Sequence, residues 1–520
     1  MKVKGPVLMP LVLLALNSIL LVIPRQLAGQ QSQEPRPRHH TYRLIDLGTF
    51  GGLNGGVPVE GTGGPYINGR GAVIGQANTA TPIPPEYLGF VCFPGPTANH
   101  AFEWQRGTLV DLGSLSPSES NCSTALGIND RGEIAGTSTN GKIDPILNTP
   151  EGRAVLWKKG TITNLGTFGG TYSAAASIGD RGQVVGFALN SVPDLYSIFG
   201  ALFLGSPNST QTRAFLWEDG RKRDLGTLGG PDAMIFSTGF LNKRGQVAGV
   251  SYTNSTSGPT GFPTLDPFLW DGTKMIDLGS LGGTFGFGFA LNNHAQVVGT
   301  SDTEGDMASH PFFWDRGLMT DLGTFGGSFG EADSLNDAGE VVGGSFFAGD
   351  EIQHAFLWKH GTITDLSVIP GDRCSHAYSI NANRQIVGLS GQCGSGIRAF
   401  LWEGGEMVDL NDLVRPKSGV NLAEAWLITD NGEIEIDGLP PGCESGDVCG
   451  HPYLLVPNGV CDDECEGNLA ARRNTASAPS HIVSGVMPKM RNGGPTAVER
   501  LRTLIRSQLH LSGRSRTSAE

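Results

Sequence analysis

A short pattern of apolar and polar residues recurs along most of the chain. An apolar stretch ends in Trp, a polar turn follows, and a second stretch ends in Asp-Leu or Asn-Leu, as in HAFLWKHGTITDL at 354–366. The Trp residues at 270, 314, 358 and 402 are 44 residues apart, and those at 104, 157 and 217 have longer gaps. Alternating apolar and β-branched residues between turns rich in Gly, Asn and Asp predict strands. Each copy therefore contains at least one β-hairpin.

A second hairpin lies between successive copies. A Gly-rich link such as GTFGG at 323–327 precedes a small-residue strand that ends at Asn, and a turn and a Val-rich strand follow, as in SLNDAGEVVGGS at 334–345. We name the strands of one repeat a (ending at Asn), b (Val-rich), c (ending at Trp) and d (ending at Asp-Leu). No long helical period of apolar residues interrupts them. A unit of this length with four antiparallel strands has the size of a β-propeller blade, so the sequence predicts an all-β protein.

The two ends of the repeat region predict how the propeller closes. The stretch TYRLIDLGTFGG at 41–52 is a d strand without a c strand before it, and the last copy ends with a c strand at 451–456. Together they would complete one blade and remove exposed sheet edges. Eight Asp/Asn-Leu motifs, including the one at Asp46, predict a single closed β-propeller of eight four-stranded blades over 42–457, with seven blades as the alternative.

The residues that recur in every copy are interpreted as structural. Trp at the end of strand c is expected to pack between blades. The Asp of strand d is replaced once by Asn164, which favours a hydrogen bond to a turn or a neighbouring amide over a required charge. The His that precedes Ala-Phe in strand c is replaced by Arg or Asp in other copies. We therefore expect a polar residue at the blade edge and not a shared catalytic base.

The combination of HAFLW, TDLG, IN and QVVG resembles the HAF repeat of predicted extracellular bacterial proteins. The resemblance covers about residues 42–457. It implies export and a repeat fold, and it brings no established activity or catalytic residues. Two copies depart from the pattern, since Gly179 stands where Asn is expected and the last copy has Asp430 there.

The N-terminal and C-terminal segments differ from the repeats. Two Lys residues precede an apolar run from Val7 to Ile23, which predicts a secretory signal peptide at 1–29, with an uncleaved N-terminal anchor as the alternative. A linker at 30–41 follows. We expect 458–520 to be a basic, largely disordered tail in which 495–511 has the apolar spacing of a short helix. No other segment is apolar enough to span a bilayer, so the mature chain is expected to be extracellular or periplasmic.

Composition limits the classes of molecule that the chain is expected to bind. The formal net charge of −13 argues against a nucleic-acid partner. We expect a monomer with no cofactor and no metal. Eight Cys residues in an exported chain predict disulfides. Because b–c loops and d–a links share one face of a propeller, Cys residues close in sequence are expected to pair. The expected pairs are Cys92–Cys122, Cys374–Cys393, Cys443–Cys449 and Cys461–Cys465. The last four Cys residues could also exchange partners.

Functional specificity is expected where the copies differ. The long b–c loops at 78–99 and 190–212 carry apolar residues that a plain surface loop does not need. These residues either cover each other or form a ligand-binding surface. The candidates are Tyr87, Phe90, Phe93, Tyr196, Phe199 and Phe203.

Strand a differs between early and late copies. The fifth residue before its Asn is small or aromatic in early copies, but it is Glu331 and then His376 in later ones, and the third residue before it becomes Asp333 and Tyr378. Strand alternation places these positions on one face. The d–a link before His376 adds Asp372 and Arg373. The sequence therefore predicts a cluster at the channel mouth formed by Glu331, Asp333, Asp372, Arg373 and His376. Such groups could do acid–base chemistry, hold a cation or merely line a wet channel.

Two functions follow from these patterns. The first is a secreted or cell-surface scaffold that binds a protein or glycan through variable loops on one face, without catalysis. The alternative is a propeller-fold hydrolase or lyase that acts on extracellular polysaccharide with the Glu/Asp/His cluster. The chain has no GxSxG, HExxH, phosphate-binding Gly loop or EF-hand motif that would favour a known catalytic class.

Overall fold

The structure is a computed structural model. The chain divides into two compact units, Met1–Pro37 and Arg38–Glu520, and everything described below belongs to the second. The predicted signal peptide, most of the linker and most of the tail, including 495–511, lie outside the described residues. Within the described part of the chain, no helix has the length and apolar character needed to cross a bilayer. The described residues are 39–56, 66–84, 92, 97–118, 120–144, 150–201, 209–235, 241–258, 261–443, 450–462, 465 and 469.

Regular structure is almost entirely β. The first strands are β1 (His40–Asp46), β2 (Gly51–Gly56), β3 (Val73–Pro82), β4 (Thr97–Gln105), β5 (Thr108–Asp111), β6 (Ser123–Ile128), β7 (Ile134–Ile143), β8 (Pro150–Lys158), β9 (Thr161–Asn164), β10 (Gly169–Ile178), β11 (Val184–Asp194), β12 (Ser209–Glu218) and β13 (Arg221–Asp224). The next are β14 (Ala233–Met234), β15 (Val247–Tyr252), β16 (Leu265–Trp270), β17 (Met275–Asp277), β18 (Gly282–Leu291), β19 (Val297–Thr303), β20 (Ser309–Asp315), β21 (Leu318–Asp321), β22 (Gly326–Leu335), β23 (Val341–Phe347), β24 (Gln353–Lys359) and β25 (Thr362–Asp365). The last are β26 (Cys374–Ile380), β27 (Ile386–Gly391), β28 (Arg398–Glu403), β29 (Glu406–Asp409), β30 (Asn421–Ile428), β31 (Ile434–Leu439) and β32 (His451–Val460), with one helical turn, α1 (Leu410–Leu413).

The strands form antiparallel meanders in the predicted order a-b-c-d. Separate four-stranded sheets contain β2–β5, β6–β9, β10–β13 and β26–β29. The three meanders from β14 to β25 are joined into one 12-stranded sheet by single parallel contacts, Leu265 with Phe285 and Ser309 with Phe329. The all-β class and the four-stranded unit are confirmed.

The last sheet combines both ends of the repeat region. Its strand order is β1-β32-β31-β30, so the N-terminal strand supplies the d position of the last copy, as predicted. Tyr42 in β1 is fully buried in this sheet's core. The sheet is longer than predicted, because β1 begins at His40 and β32 ends at Val460. Cys461 and Leu469 are buried against the same core, so the packed region continues past residue 457.

The core lies between neighbouring sheets and is centred on strand c. The residue two positions before each strand-c Trp is fully buried; it is Val155 in one copy and Phe in the others, at positions 102, 215, 268, 312, 356 and 400. The Trp residues lie nearer the boundary, since Trp157 and Trp270 are buried whereas Trp217 and Trp402 are only half-buried. The greater exposure of the Trp follows from its position on the strand. Residues two apart lie on the same face, and the Trp is the one closer to the solvent-exposed turn.

The His and Asp of the repeated hairpin pair with each other across the strands. His354 Nδ1 lies 2.9 Å from Asp365 Oδ1, and the same carboxylate accepts a hydrogen bond from the Ser367 amide at 2.7 Å. Partial burial raises the pKa of Asp365, but the hydrogen bonds from His354 and Ser367 outweigh it and lower the pKa. His100 and His310 make the same pair with Asp111 and Asp321. This His is a cross-strand partner at an exposed edge.

The Asn that ends strand a joins each copy to the next. Asn336 Oδ1 accepts hydrogen bonds from the amides of Ala338 and Glu340 at 3.0 and 3.1 Å. Its Nδ2 donates to the carbonyl of Asn381, the equivalent residue of the next copy, at 3.2 Å. Asn381 donates in turn to the carbonyl of Thr429 at 2.9 Å. One buried side chain thus closes its own turn and ties it to the neighbouring unit, which explains why Asn recurs.

Thr429, and not Asp430, takes the Asn position in the last copy. The Thr429 amide donates to the Glu433 carbonyl at 2.9 Å, and the Thr429 hydroxyl accepts from the Glu433 amide at 3.1 Å. These are the bonds that Asn336 and Glu340 make in their own turn. The sequence alignment of the last copy was therefore wrong by one residue, because a Thr hydroxyl replaces the amide oxygen of Asn.

Replacing Asn336 by Ala is expected to lower the free energy of unfolding by about 1–2 kcal/mol, because buried backbone groups lose their partner. The matched control is Asn383→Ala, which removes an exposed hydrogen bond to the Asp430 carbonyl and should have little effect. Urea unfolding of both variants measures the difference. Equal stability of the two would show that the Asn residues do not join the copies.

Disulfides connect the loops. The structure joins Cys92 to Cys122, Cys374 to Cys393 and Cys461 to Cys465, with Cα–Cα distances of 5.2, 5.0 and 5.3 Å. These pairs are the ones expected from the loop positions. Cys443 is also disulfide-bonded, and its expected partner Cys449 lies outside the described residues. That the cysteines are disulfide-bonded is confirmed, since none of the described ones is free.

Candidate functional site

The b–c loop after β11 is packed inward. Phe199 is only 1% exposed, and its ring lies 4.7 Å from that of Tyr172 and 5.7 Å from that of Phe187. Tyr196 is half-buried with its ring 6.2 Å from Phe262. Phe199 thus covers the aromatic cluster on strands a and b, which is the first of the two alternatives for this loop. Four other candidates lie outside the described residues: Tyr87, Phe90, Phe93 and Phe203.

Three of the five cluster candidates come together on neighbouring a strands. Glu331 and Asp333 lie on β22. His376 lies on β26, at the position equivalent to that of Glu331. His376 Nε2 is 2.9 Å from Asp333 Oδ2 and 3.9 Å from Glu331 Oε1. All three side chains are buried. We call Glu331, Asp333 and His376 the acid–His cluster.

Asp372 and Arg373 are not part of the acid–His cluster. The Asp372 carboxylate accepts hydrogen bonds from Arg398 and Ser390, both at 2.8 Å. The side chain of Arg373 is exposed. Both residues precede β26, which begins at Cys374, so the strand alternation that aligns His376 does not extend to them. Arg398 lines a pocket of about 420 Å³ beside α1, which shares no lining residue with the cluster.

A glycine on strand b makes room for the imidazole ring. Gly344 on β23 is the register partner of Glu331. A Cβ at Gly344 would lie 2.4 Å from His376 Nδ1, closer than any side chain could be. The equivalent residues in the neighbouring copies are Thr300 and Leu389. The missing side chain at 344 is therefore what lets His376 occupy its position beside Asp333.

A third copy extends the site, and sequence reasoning missed it. With Thr429 as the reference, the fifth and third residues before it are Glu424 and Trp426. Trp426 stacks on Tyr378 with ring centroids 4.6 Å apart, and Tyr378 lies 4.8 Å from the His376 ring. The signal was present in the sequence, because Glu433 follows Thr429 at the spacing at which Glu340 follows Asn336.

Asp437 on β31 completes this part of the site. It is the register partner of Glu424, and its Oδ2 accepts a hydrogen bond from Trp426 Nε1 at 3.1 Å. We call the acid–His cluster together with the residues of the last copy the extended acidic site; its members are Glu331, Asp333, His376, Tyr378, Glu424, Trp426 and Asp437.

Burial governs the protonation of these groups. It raises the pKa of Glu331 to about 8, helped by the charge of Asp333 and opposed by His376. Burial lowers the pKa of His376, but the charge and hydrogen bond of Asp333 outweigh it, so the pKa is raised. Burial also raises the pKa of Glu424 to about 7 and, together with the charge of Glu424, that of Asp437 to about 8. These pKa values mean that Glu331 and Asp437 keep their protons near neutral pH, whereas Glu424 is partly ionised there.

The same strand positions carry small, aliphatic or aromatic residues in earlier copies. Ala174 stands at the position of Glu331, and Phe287 and Phe289 stand at those of Glu331 and Asp333 in the copy just before. All three belong to one buried aromatic cluster. Ionisable side chains at these two positions of strand a occur only in the last three copies, where proton donors, acceptors and aromatic faces adjoin.

Comparisons with known proteins identify no relative by sequence. No protein-family model matches the chain, and no curated protein matches it. Among solved structures, it is similar to the β-propeller domain of the Trilobed protease from Pyrococcus furiosus, with 10% identity over 71% of this chain and 98% of that one and a TM-score of 0.35. It is also similar to dipeptidyl peptidase 4 of Porphyromonas gingivalis, with 8% identity, 75% and 60% coverage and a TM-score of 0.40. A puromycin-hydrolyzing peptidase of Mycobacterium tuberculosis has 11% identity, 80% and 63% coverage and a TM-score of 0.38.

The chain spans about three fifths of the length of those two peptidases. At such low identities and TM-scores, nothing about their activities is transferred to this chain.

Proposed function

We propose that this chain is an exported, HAF-type β-propeller of eight blades that binds a glycan or protein ligand at the extended acidic site. The meanders from β2 to β29 and the sheet of β30, β31, β32 and β1 supply the blades. Each meander contacts the next, and β32 contacts β2 of the first one, which supports a closed ring. Disulfides are compatible with an extracellular location, where such bonds persist.

One observation carries the binding proposal. Three successive a strands exchange the small and aromatic residues of earlier copies for Glu331, His376 and Glu424. Carboxylates accept hydrogen bonds from hydroxyl and amide groups, and the adjoining faces of Tyr378 and Trp426 suit apolar surfaces of a ligand. Tyr378 and Glu424 are only half-buried, so a ligand reaches the site from their side. This combination of a few polar groups with aromatic walls is typical of ligand sites.

Glycan and protein arrays probed with the purified chain test this proposal. At pH 8.5, where Glu424 with its pKa of about 7 is ionised, a ligand found there should lose at least tenfold in affinity in Glu424→Gln, because the charge-assisted hydrogen bond is worth about 1.5–3 kcal/mol. Asp372→Asn is the matched control, since Asp372 is a carboxylate outside the site, and it should leave the affinity unchanged. Binding that persists in Glu424→Gln would show that the ligand binds elsewhere.

Catalysis is the second candidate, and the Glu424–Asp437 pair is the observation that favours it. Carboxyl groups with pKa values of about 7 and 8 retain protons near neutral pH and can act as general acids. The proposed activity is a hydrolase or lyase acting on extracellular polysaccharide. Turnover in a polysaccharide screen that disappears in Asp437→Asn and Glu331→Gln would replace the binding-only proposal. Array ligands without turnover would exclude catalysis on them.

A further inference from the structure

We propose that Glu331, Asp333 and His376 form a binding site for a divalent first-row metal ion, Mn²⁺ or Zn²⁺. The inference goes beyond ligand binding at the extended acidic site, since that binding needs no metal. One carboxylate oxygen from each acid and one imidazole nitrogen lie within 4.8 Å of one another. They come from two neighbouring strands, so the backbone of two sheets holds them in place.

The distances suit such an ion. Two ligand atoms 2.9 Å apart, as His376 Nε2 and Asp333 Oδ2 are, subtend roughly 90° at an ion placed at coordination distance from both. Glu331 Oε1, 3.9 Å from Nε2, requires only a small movement to complete the set. A right angle is typical of six-coordinate Mn²⁺ and of expanded Zn²⁺ sites.

The types of ligand restrict the choice of metal. Imidazole suits Zn²⁺ and other transition ions, and carboxylates suit Mn²⁺. Calcium takes six to eight oxygen ligands, which a site containing a His nitrogen and two carboxylates does not match. Metal binding requires deprotonated ligands and so would release any proton held on Glu331 or His376; two carboxylates and a neutral imidazole would then neutralise the buried divalent charge.

An unpartnered oxygen is the second observation. Glu331 is 3% exposed, yet its Oε2 has no hydrogen-bond partner. A buried carboxylate oxygen without a partner destabilises the fold, so the site lacks a positive group or donor at this point. A metal ion bound by Glu331 would supply it.

The surroundings are built to hold the imidazole. Gly344 leaves the space that a Cβ would take from His376 Nδ1. On another side, the Tyr378 ring lies 4.8 Å from that of His376 and is itself stacked on Trp426. This packing restrains the orientation of the imidazole ring, as a metal-binding His requires. It also places Trp426 close enough to report on a bound ion by fluorescence.

The test titrates the full chain, freed of metal with a chelator, with MnCl₂, ZnCl₂ or CoCl₂ alone. We expect one ion per chain by calorimetry, quenching of Trp fluorescence by Co²⁺ and a visible absorption band of the Co²⁺ complex. Affinity should fall about 10- to 100-fold or more in Glu331→Gln and Asp333→Asn, because each removes a ligand charge. Gly344→Ala should weaken binding as well, since its Cβ would displace His376.

Asp372→Asn is the matched control and should bind the ion as the wild type does. The wild-type titration decides the matter even if a variant fails to fold. Folded wild-type chain that binds none of the three ions with one-to-one stoichiometry would overturn the proposal. So would binding that survives both Glu331→Gln and Asp333→Asn, or tighter binding in parallel titrations with CaCl₂ or MgCl₂. Because no organic ligand is present, this result is independent of the array experiment.

Discussion

Deletion of residues 39–46 is expected to abolish the cooperative thermal unfolding of the wild-type chain or to lower its midpoint strongly. These residues contain β1, which is hydrogen-bonded to β32 along its whole length. Tyr42 is fully buried among residues of β28, β30, β31 and β32. The deletion removes this contact and exposes the edge of β32, so the last sheet loses both core and strand partner. Differential scanning calorimetry measures the transition.

Two substitutions in β1 calibrate that result. Tyr42→Ala should cost about 3–5 kcal/mol, as truncation of a large buried aromatic side chain does. Arg43→Ala, at an exposed neighbouring position, should cost little. A deletion variant that melts at the wild-type temperature would show that β1 is dispensable and would refute closure of the ring by the N-terminal strand.

Glu435→Val is expected to stabilise the protein by about 1–3 kcal/mol near neutral pH, because it replaces a buried carboxyl group that has no hydrogen-bond partner with a side chain that packs. Glu435 is fully buried, and neither of its carboxylate oxygens has a hydrogen-bond partner. Val342 and Val387 occupy the equivalent positions of the two preceding copies and are fully buried. Urea unfolding at constant pH measures the gain. A loss of stability would show that the carboxyl group has a favourable partner in solution.

The pH dependence of stability follows from the same residue. Burial raises the pKa of Glu435 well above 4.5, helped by the charges of Asp437 and Glu433. The folded state therefore holds a proton that the unfolded state releases. The resulting stabilisation is present below pH 4.5 and is lost as pH rises through the folded pKa. Asp437, with a pKa of about 8 against 3.8, contributes in the same direction. We expect the wild-type midpoint to fall between about pH 5 and pH 8.

Glu340 provides a control of opposite sign. Burial raises its pKa, but hydrogen bonds from Arg384, Lys359 and Asn336 outweigh this and lower the pKa to about 2. Its contribution is present above pH 4.5 and is lost as pH falls toward 2. Glu340→Gln should therefore lower stability at neutral pH without changing the slope between about pH 5 and pH 8, whereas Glu435→Val should reduce that slope. A wild-type midpoint that rises across this range would contradict the buried carboxyl groups.

Much of the fold could be predicted from the sequence because its signals are local. Alternation, turn residues and a fixed spacing identify strands without knowledge of distant contacts. The missing d strand of the last copy and the extra one at Asp46 were sufficient to predict the sheet of β1 and β30–β32. The same reasoning placed Glu331 and His376 at equivalent positions. It failed at Thr429, where a one-residue error hid Glu424 and Trp426, because a hydroxyl can make the bonds of an Asn side chain.

The sequence by itself determined the repeated unit, the strand that each residue occupies and the face of the strand on which it lies. These depend on periodicity, which is a property of neighbouring residues. Only the tertiary structure decided which side chains meet. Asp372 accepts a hydrogen bond from Arg398, and Phe199 is buried in the core. His376 contacts Asp333 because Gly344 leaves space for its ring. Such contacts depend on the space between two packed sheets, and the absence of one Cβ atom there matters more than any recurring motif.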